Sequence, residues 1–91
     1  MIKITALTDK GKTALQQHID ETRKLKRTER AMQKILGIVH TVVNQDPLTV
    51  EIEIRNKRLV SVVKTKHLIQ EIDETMENNG ASTEDYKVEV V

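Results

Sequence analysis

The strongest constraint on the fold is a period of two in the apolar side chains at three places in the chain. Ile2, Ile4 and Ala6 alternate with polar residues near the N-terminus, and the same pattern returns at 50–54 and 86–90. A period of two puts successive side chains on opposite faces of an extended strand. The sequence therefore predicts strands of a sheet with one buried face and one solvent face.

The core beneath such a sheet must be aliphatic, because the chain contains little other apolar material. Among its 91 residues are 26 Val, Ile and Leu residues, one aromatic residue (Tyr86) and no cysteine. This aliphatic content is enough for a folded chain, and the length fits a single domain over residues 1–91. The lack of cysteine excludes disulfides, thiolate zinc sites and iron–sulfur clusters, and one ring leaves almost nothing on which bases could stack.

Residues 9–44 have a mainly helical pattern. Thr8 is placed to cap the start of a first helix. Arg and Lys then dominate at 23–27, so we predict a break or an exposed turn near 23–28. The strongest helical stripe of the chain follows and predicts a second helix, through Met32, Ile35, Leu36, Val39, Val42 and Val43. The alternative is one helix over 9–44, about 54 Å long, which would protrude from so small a domain.

The rest of the chain predicts a hairpin, a third helix and a last strand. The hairpin covers 49–63 and turns at Asn56-Lys57, because Asn tolerates positive φ. Thr65 is placed to cap the third helix, and Asn79-Gly80 provides a left-handed stop. Residues 86–90 then form the final strand.

This order of elements predicts an α+β fold, a small two-layer sandwich. Its βαββαβ order is that of ferredoxin-like domains, in which helices cover one face of a four-stranded antiparallel sheet of order 4-1-3-2. Such a fold says little about activity, so function must be argued from particular residues.

No motif in the chain carries recognisable catalytic chemistry. Gly11-Lys12-Thr13 matches only the end of a phosphate-binding loop and is better explained as the start of a helix. His18, His40 and His67 are too widely spaced in sequence to form a local metal-ligand pair, and His40 is expected to pack at the boundary of the core. We therefore predict no catalytic, cofactor or metal residue.

Charge is segregated along the chain, although the net charge is only +1. Residues 1–44 carry nine basic and four acidic groups, whereas residues 45–91 carry six basic and ten acidic groups. The candidate contacts for a nucleic acid or an acidic partner are Arg23, Lys24, Lys26, Arg27, Arg30 and Lys34. The candidate acidic interaction face consists of Glu71, Asp73, Glu74 and Glu77.

The segregated charge favours a protein-interaction module that self-associates, since segments of opposite sign can steer two copies together. Two alternatives stay open: binding of nucleic acid without sequence specificity through the basic 23–34 segment, and a small-molecule sensing domain. The N-terminus lacks the pattern of a signal peptide and no apolar run is long enough to span a membrane, so we expect a cytoplasmic protein without a membrane partner.

Overall fold

Over residues 1–55 and 62–91 the chain forms one four-stranded sheet and three helices. A computed structural model describes residues 1–55 and 62–91. In chain order the elements are β1 (Ile2–Ala6), α1 (Asp9–Arg23), α2 (Arg27–Leu36), β2 (Ile38–Gln45), β3 (Leu48–Ile54), α3 (Val62–Asn78) and β4 (Tyr86–Val90). None of the helices in the described ranges combines the length and apolar character that crossing a bilayer requires.

The sheet is open, and its strands lie in the order β2-β3-β1-β4. Each neighbouring pair is antiparallel, with Ile4 opposite Val50 on one side and Val88 on the other. The predicted α+β class and the four-stranded antiparallel sheet are therefore confirmed. Strands β2 and β4 form the two edges.

The helical prediction beyond residue 37 was wrong. Helix α2 ends at Leu36, Gly37 adopts left-handed backbone with φ 64°, and β2 begins at Ile38. The β-branched residues that follow fit a strand better than a helix, because branching at Cβ restricts side chains on a helix and packs well on a pleated sheet. Asp46-Pro47 lies in the turn between β2 and β3, where its peptide bond is cis.

This strand changes the predicted hairpin as well. Strand β3 pairs with β2, which precedes it in the chain, and with β1. Helix α3 begins at Val62, so the strand predicted over 59–63 was wrong at 62–63. Positions 59–61 and the predicted turn at Asn56-Lys57 lie outside the described residues.

The break in the helical region is confirmed. Helix α1 ends at Arg23 and α2 begins at Arg27, with Lys24 and Lys26 as the flanking caps. Few apolar side chains are available here to anchor a continuous helix on the core, so the chain turns.

The core lies between one face of the sheet and helices α1 and α3. Its fully or nearly fully buried members include Ile4 of β1, Leu15 of α1, Val50 of β3 and Met76 of α3. Lys3 and Glu51 pair across β1 and β3 and lie on the opposite face. The two-face pattern predicted for the strands is thus present.

Candidate functional site

Among the described residues, β2 and β4 each leave one edge of the sheet without a partner strand, and the edge of β2 is the longer. It runs over eight residues, compared with five in β4. Strand β2 contains no Asp, Glu, Lys or Arg, whereas β4 carries Lys87 and Glu89. Proteins normally protect exposed edges with charges, proline, bulges or short length, because unpaired backbone groups recruit another strand. Strand β2 has one such irregularity, a register shift against β3 between Val42 and Asn44. The β2 edge lacks the charges that protect β4.

The hydrogen bonds across the β2–β3 ladder show which backbone groups are free. The Arg55 amide donates to the Gly37 carbonyl at 3.1 Å, which makes this a hydrogen-bonded pair continuous with the ladder. Hydrogen-bonded and non-bonded pairs alternate along antiparallel strands. The backbone groups of Thr41 therefore face β3, while the N–H groups of His40 and Val42 face away from the sheet.

Helix α2 presents its apolar side chains outward, next to this edge. Met32 is 64% exposed and Ile35 is 71% exposed, while Gln33 lies against the body of the protein. At about 100° per residue, Met32 and Ile35 share a face that is turned away from Gln33 and from Lys34. An amphipathic helix usually buries its apolar face. Here that face is uncovered.

The six predicted basic contacts gather at the corner between α1 and α2. Arg23 and Lys24 end α1, Lys26 caps α2, and the other three lie on α2. All six are exposed. The Arg30 guanidinium donates a hydrogen bond to the Arg23 carbonyl, which ties the start of α2 to the end of α1. We call this group of six residues the basic corner.

The four predicted acidic residues all lie on α3. His67 contacts Glu71 at 3.1 Å, and the Tyr86 hydroxyl donates to Asp73 at 2.7 Å. The six basic residues lie together at the corner between α1 and α2, and the four acidic residues lie together on α3. Among the described residues, no ion pair joins these two groups.

A pair of histidines lies between α1 and β2. The rings of His18 and His40 are 5.7 Å apart in an edge-to-face arrangement, and His18 Nε2 is buried with no hydrogen-bond partner among the residues that the structure describes. Burial lowers the pKa of His18, and burial together with the neighbouring His18 lowers the pKa of His40 to about 4. This pair could not be predicted from helical spacing, because His40 lies on strand β2 and not on a helix. Among the described residues no cluster of three metal-ligating side chains includes it.

Beside this pair is a cavity of about 300 Å³. It opens between the C-terminal end of α1, α2 and the core face of β2. Its apolar walls are formed by Ile19, Ile38, Val39, Val42 and Val50, and its polar groups come from Thr22, Arg23, Gln33 and His40. The core face of β2 is only partly covered, which leaves this space open.

Gly11, in the first turn of α1, takes part in the capping of this helix. Thr8 Oγ1 accepts a hydrogen bond from the Gly11 amide and donates one to Asp85 Oδ1 at 2.7 Å. Hydrogen bonds from the Ser82 amide and from Thr8 lower the pKa of Asp85. The start of α1 therefore meets a carboxylate of the chain itself, as expected for a capped helix rather than a phosphate site.

No family model matches this chain, and comparisons with curated proteins and with solved structures also find no match. A function for this chain must therefore be argued from its fold, its β2 edge, its charged surfaces and its cavity.

Proposed function

We propose that this protein is a small interaction module that forms a homodimer by pairing the β2 edges of two copies. The observation that carries the proposal is the uncharged, eight-residue free edge of β2. Antiparallel pairing about a twofold axis sets this edge against itself, so each copy offers the backbone groups that the other needs. A second copy is therefore the natural partner of this edge.

Helix α2 supplies the remaining contact area. A stable dimer buries about 1,600 Å² in total, which is more than two strand edges alone provide. Met32 and Ile35 on α2 and the 51% exposed Val43 on β2 are apolar and lie on the elements at this edge. Burying them against the partner would add the hydrophobic stabilisation that strand pairing lacks.

The oligomeric state of matched double variants tests this proposal. Thr41 and Val43 are exposed on β2, and Val90 and Val91 are exposed at the other edge of the sheet. Replacing either pair by lysine adds the same charge, but only Thr41→Lys/Val43→Lys places like charges at the proposed junction. Light scattering coupled to gel filtration should show a dimer for the unmodified chain and for Val90→Lys/Val91→Lys.

The Thr41→Lys/Val43→Lys variant should be a folded monomer at the same concentration, with circular dichroism as the check on folding. A monomeric unmodified chain at all concentrations would contradict the proposal. Equal dissociation by both double variants would also contradict it, because the effect would then not belong to the β2 edge.

The salt dependence of dimerisation distinguishes this dimer from one that is held together by opposite charges. Pairing at β2 brings two basic corners to the same side of the assembly, so screening should leave the dimer intact or strengthen it. A contact between the basic corner of one copy and the acidic face on α3 of the other would weaken in high salt. We expect the dimer to persist from 50 mM to about 500 mM NaCl, where exposed charges are largely screened.

The arrangement of elements supports a finer assignment of the fold. We propose that the domain is a ferredoxin-like sandwich, with α1 and α2 together in place of the first helix. The order β2-β3-β1-β4 read from the opposite edge is 4-1-3-2. A solved structure with both α1 and α3 on the same face of the sheet would support this assignment.

A second candidate function is binding of nucleic acid at the basic corner. The exposure of all six cations favours it, since phosphate contacts need accessible Lys and Arg side chains. Fluorescence anisotropy with duplex and single-stranded oligonucleotides tests it. Affinity that falls steeply with salt and is lost in Lys24→Ala/Lys26→Ala/Arg27→Ala would support it, and no binding at low salt would exclude it.

A further inference from the structure

We infer that the cavity between α1, α2 and β2 is a binding site for a small aliphatic carboxylate. The site is distinct from the proposed dimer contact. It uses the core-facing side chains of β2 and the inward side of α2, whereas the dimer uses the free strand edge and the outward face of α2. The cavity therefore belongs to a single copy.

The side chains that line the cavity favour a ligand with an aliphatic hydrocarbon chain. Ile19 lies on α1, Ile38 and Val42 lie on β2, and Val50 lies on β3, so three elements contribute branched aliphatic side chains. Among the described residues that line the space there is no Phe, Tyr or Trp, and its one ring is the imidazole of His40, so large flat rings gain little there by stacking. A volume of about 300 Å³ is at the small end of ligand sites. A short, flexible hydrocarbon chain fits these walls.

The charge at the cavity selects the head group. Arg23 lines the cavity and belongs to the basic corner, in which Lys24 follows it at the end of α1 and the Arg30 guanidinium donates to its carbonyl. An arginine guanidinium binds a carboxylate with two parallel hydrogen bonds, and excess positive charge favours an anion over a neutral or cationic ligand. The Gln33 amide, on the same cavity, is an additional donor.

His40 provides a polar group within the apolar part of the cavity. Its burial and its contact with His18 favour the neutral imidazole, which donates one hydrogen bond and accepts another. Glu21 is the acidic group that acts on this pair, through His18. A neutral imidazole can hydrogen bond to a carboxylate oxygen or to a hydroxyl group of the ligand without burying a second charge.

Titration with hexanoate, followed by amide NMR spectra of the whole chain, tests the site. Hexanol and hexylammonium are the matched probes, with the same chain and no negative charge. Saturable shifts for hexanoate at the amides of Ile19, His40 and Val42, with binding at least about fivefold weaker for both other probes, are expected from a charge-assisted contact. Equal responses to all three probes, or no saturable shift in the millimolar range, would overturn the inference.

Two variants with the same change of charge localise the effect. Arg23→Gln removes the proposed carboxylate partner, and Lys12→Gln removes an exposed cation near the other end of α1. Arg23→Gln should weaken hexanoate binding at least fivefold, while Lys12→Gln should leave it unchanged. Equal weakening by both would show a general effect of charge and would overturn the site. Repeating the titration on Thr41→Lys/Val43→Lys shows whether binding is independent of dimerisation, as a cavity within one copy requires.

Discussion

At the scale of single residues, Gly11 is fixed by the approach of another part of the chain. A Cβ atom at this position would overlap the carbonyl oxygen of Asp85, which accepts the Leu7 amide at 2.9 Å. Gly11→Ala must therefore displace the segment before β4 or the first turn of α1. We expect a loss of about 3 kcal/mol in the free energy of unfolding, the scale of severe overpacking.

Urea unfolding of Gly11→Ala and Lys12→Ala side by side measures this loss. Lys12 is the exposed neighbour on the same helix turn, so Lys12→Ala should change the free energy of unfolding by less than about 0.5 kcal/mol. Equal stability of the two variants would show that the close approach of Asp85 is not a constraint.

The two facing histidines predict a stability that depends on pH. Burial holds their pKa values below the ordinary value of 6.5, to about 4 for His40, so the unfolded chain binds more protons than the folded chain as pH falls. Stability is then fully present above about pH 6.5 and is lost as pH falls toward 4, with a slope of at most about 1.4 kcal/mol per pH unit for each histidine.

Urea unfolding between pH 7.5 and 5.0 measures this slope, in a range above the ordinary titration of carboxylates. The control is His67→Gln, since His67 is exposed on α3, and it should retain the slope. Replacing His18 and His40 together by asparagine should flatten it. A slope that survives the double replacement would assign the pH dependence to other groups.

At the scale of elements, the junction between α2 and β2 depends on Gly37. Its φ of 64° is left-handed, and a Cβ there would lie 2.9 Å from the Arg55 Cβ. Gly37→Ala should lower the free energy of unfolding by about 1–2 kcal/mol from backbone strain, with a further loss from this contact. Gly80 has φ of 90° with open space around it, so Gly80→Ala reports strain alone. Urea unfolding should show the larger loss for Gly37→Ala, and the reverse order would contradict this account.

Segments with only one plausible period were predictable from the sequence. Local sequence patterns predict strands β1 and β4 and the core strand around Val50, and the structure contains these strands. Local patterns also predict the Thr8 cap and the left-handed stop at Gly80, and both are present. The stretch after Gly37 was not predictable in the same way. Its apolar side chains fit helical spacing, and their β-branching and the glycine before them point to a strand.

The candidate site was hidden by that same ambiguity. A helical pattern after Gly37 gives no indication of the free edge of β2. It also gives no indication of the contact between His40 and His18 or of the cavity beside them. The six basic residues and Glu71, Glu74 and Glu77 are exposed, because removing a charged side chain from water is costly, and Asp73 is half-buried beside Tyr86. Whether the basic and acidic groups form ion pairs within one chain depends on the tertiary structure. The order of the residues in the sequence does not show this directly.

At the scale of the whole molecule, the sheet has two different edges. Strand β4 is short and charged, whereas β2 is long, carries no Asp, Glu, Lys or Arg, and lies beside the uncovered apolar face of α2. In the proposed dimer this asymmetry would limit growth, because pairing at β2 uses the edge without charged residues and leaves β4 as the outer edge of both copies. A closed dimer is therefore expected rather than a fibre.

Amide hydrogen exchange as a function of protein concentration tests the central claim most directly. The outward amides of His40 and Val42 have a partner only if two β2 edges pair, whereas the Val39 and Thr41 amides face β3 in either state and serve as internal references. The account predicts that His40 and Val42 are protected at high concentration and lose protection on dilution, while Val39 and Thr41 stay protected throughout. Rapid exchange of His40 and Val42 at every concentration, with Val39 and Thr41 protected, would contradict it.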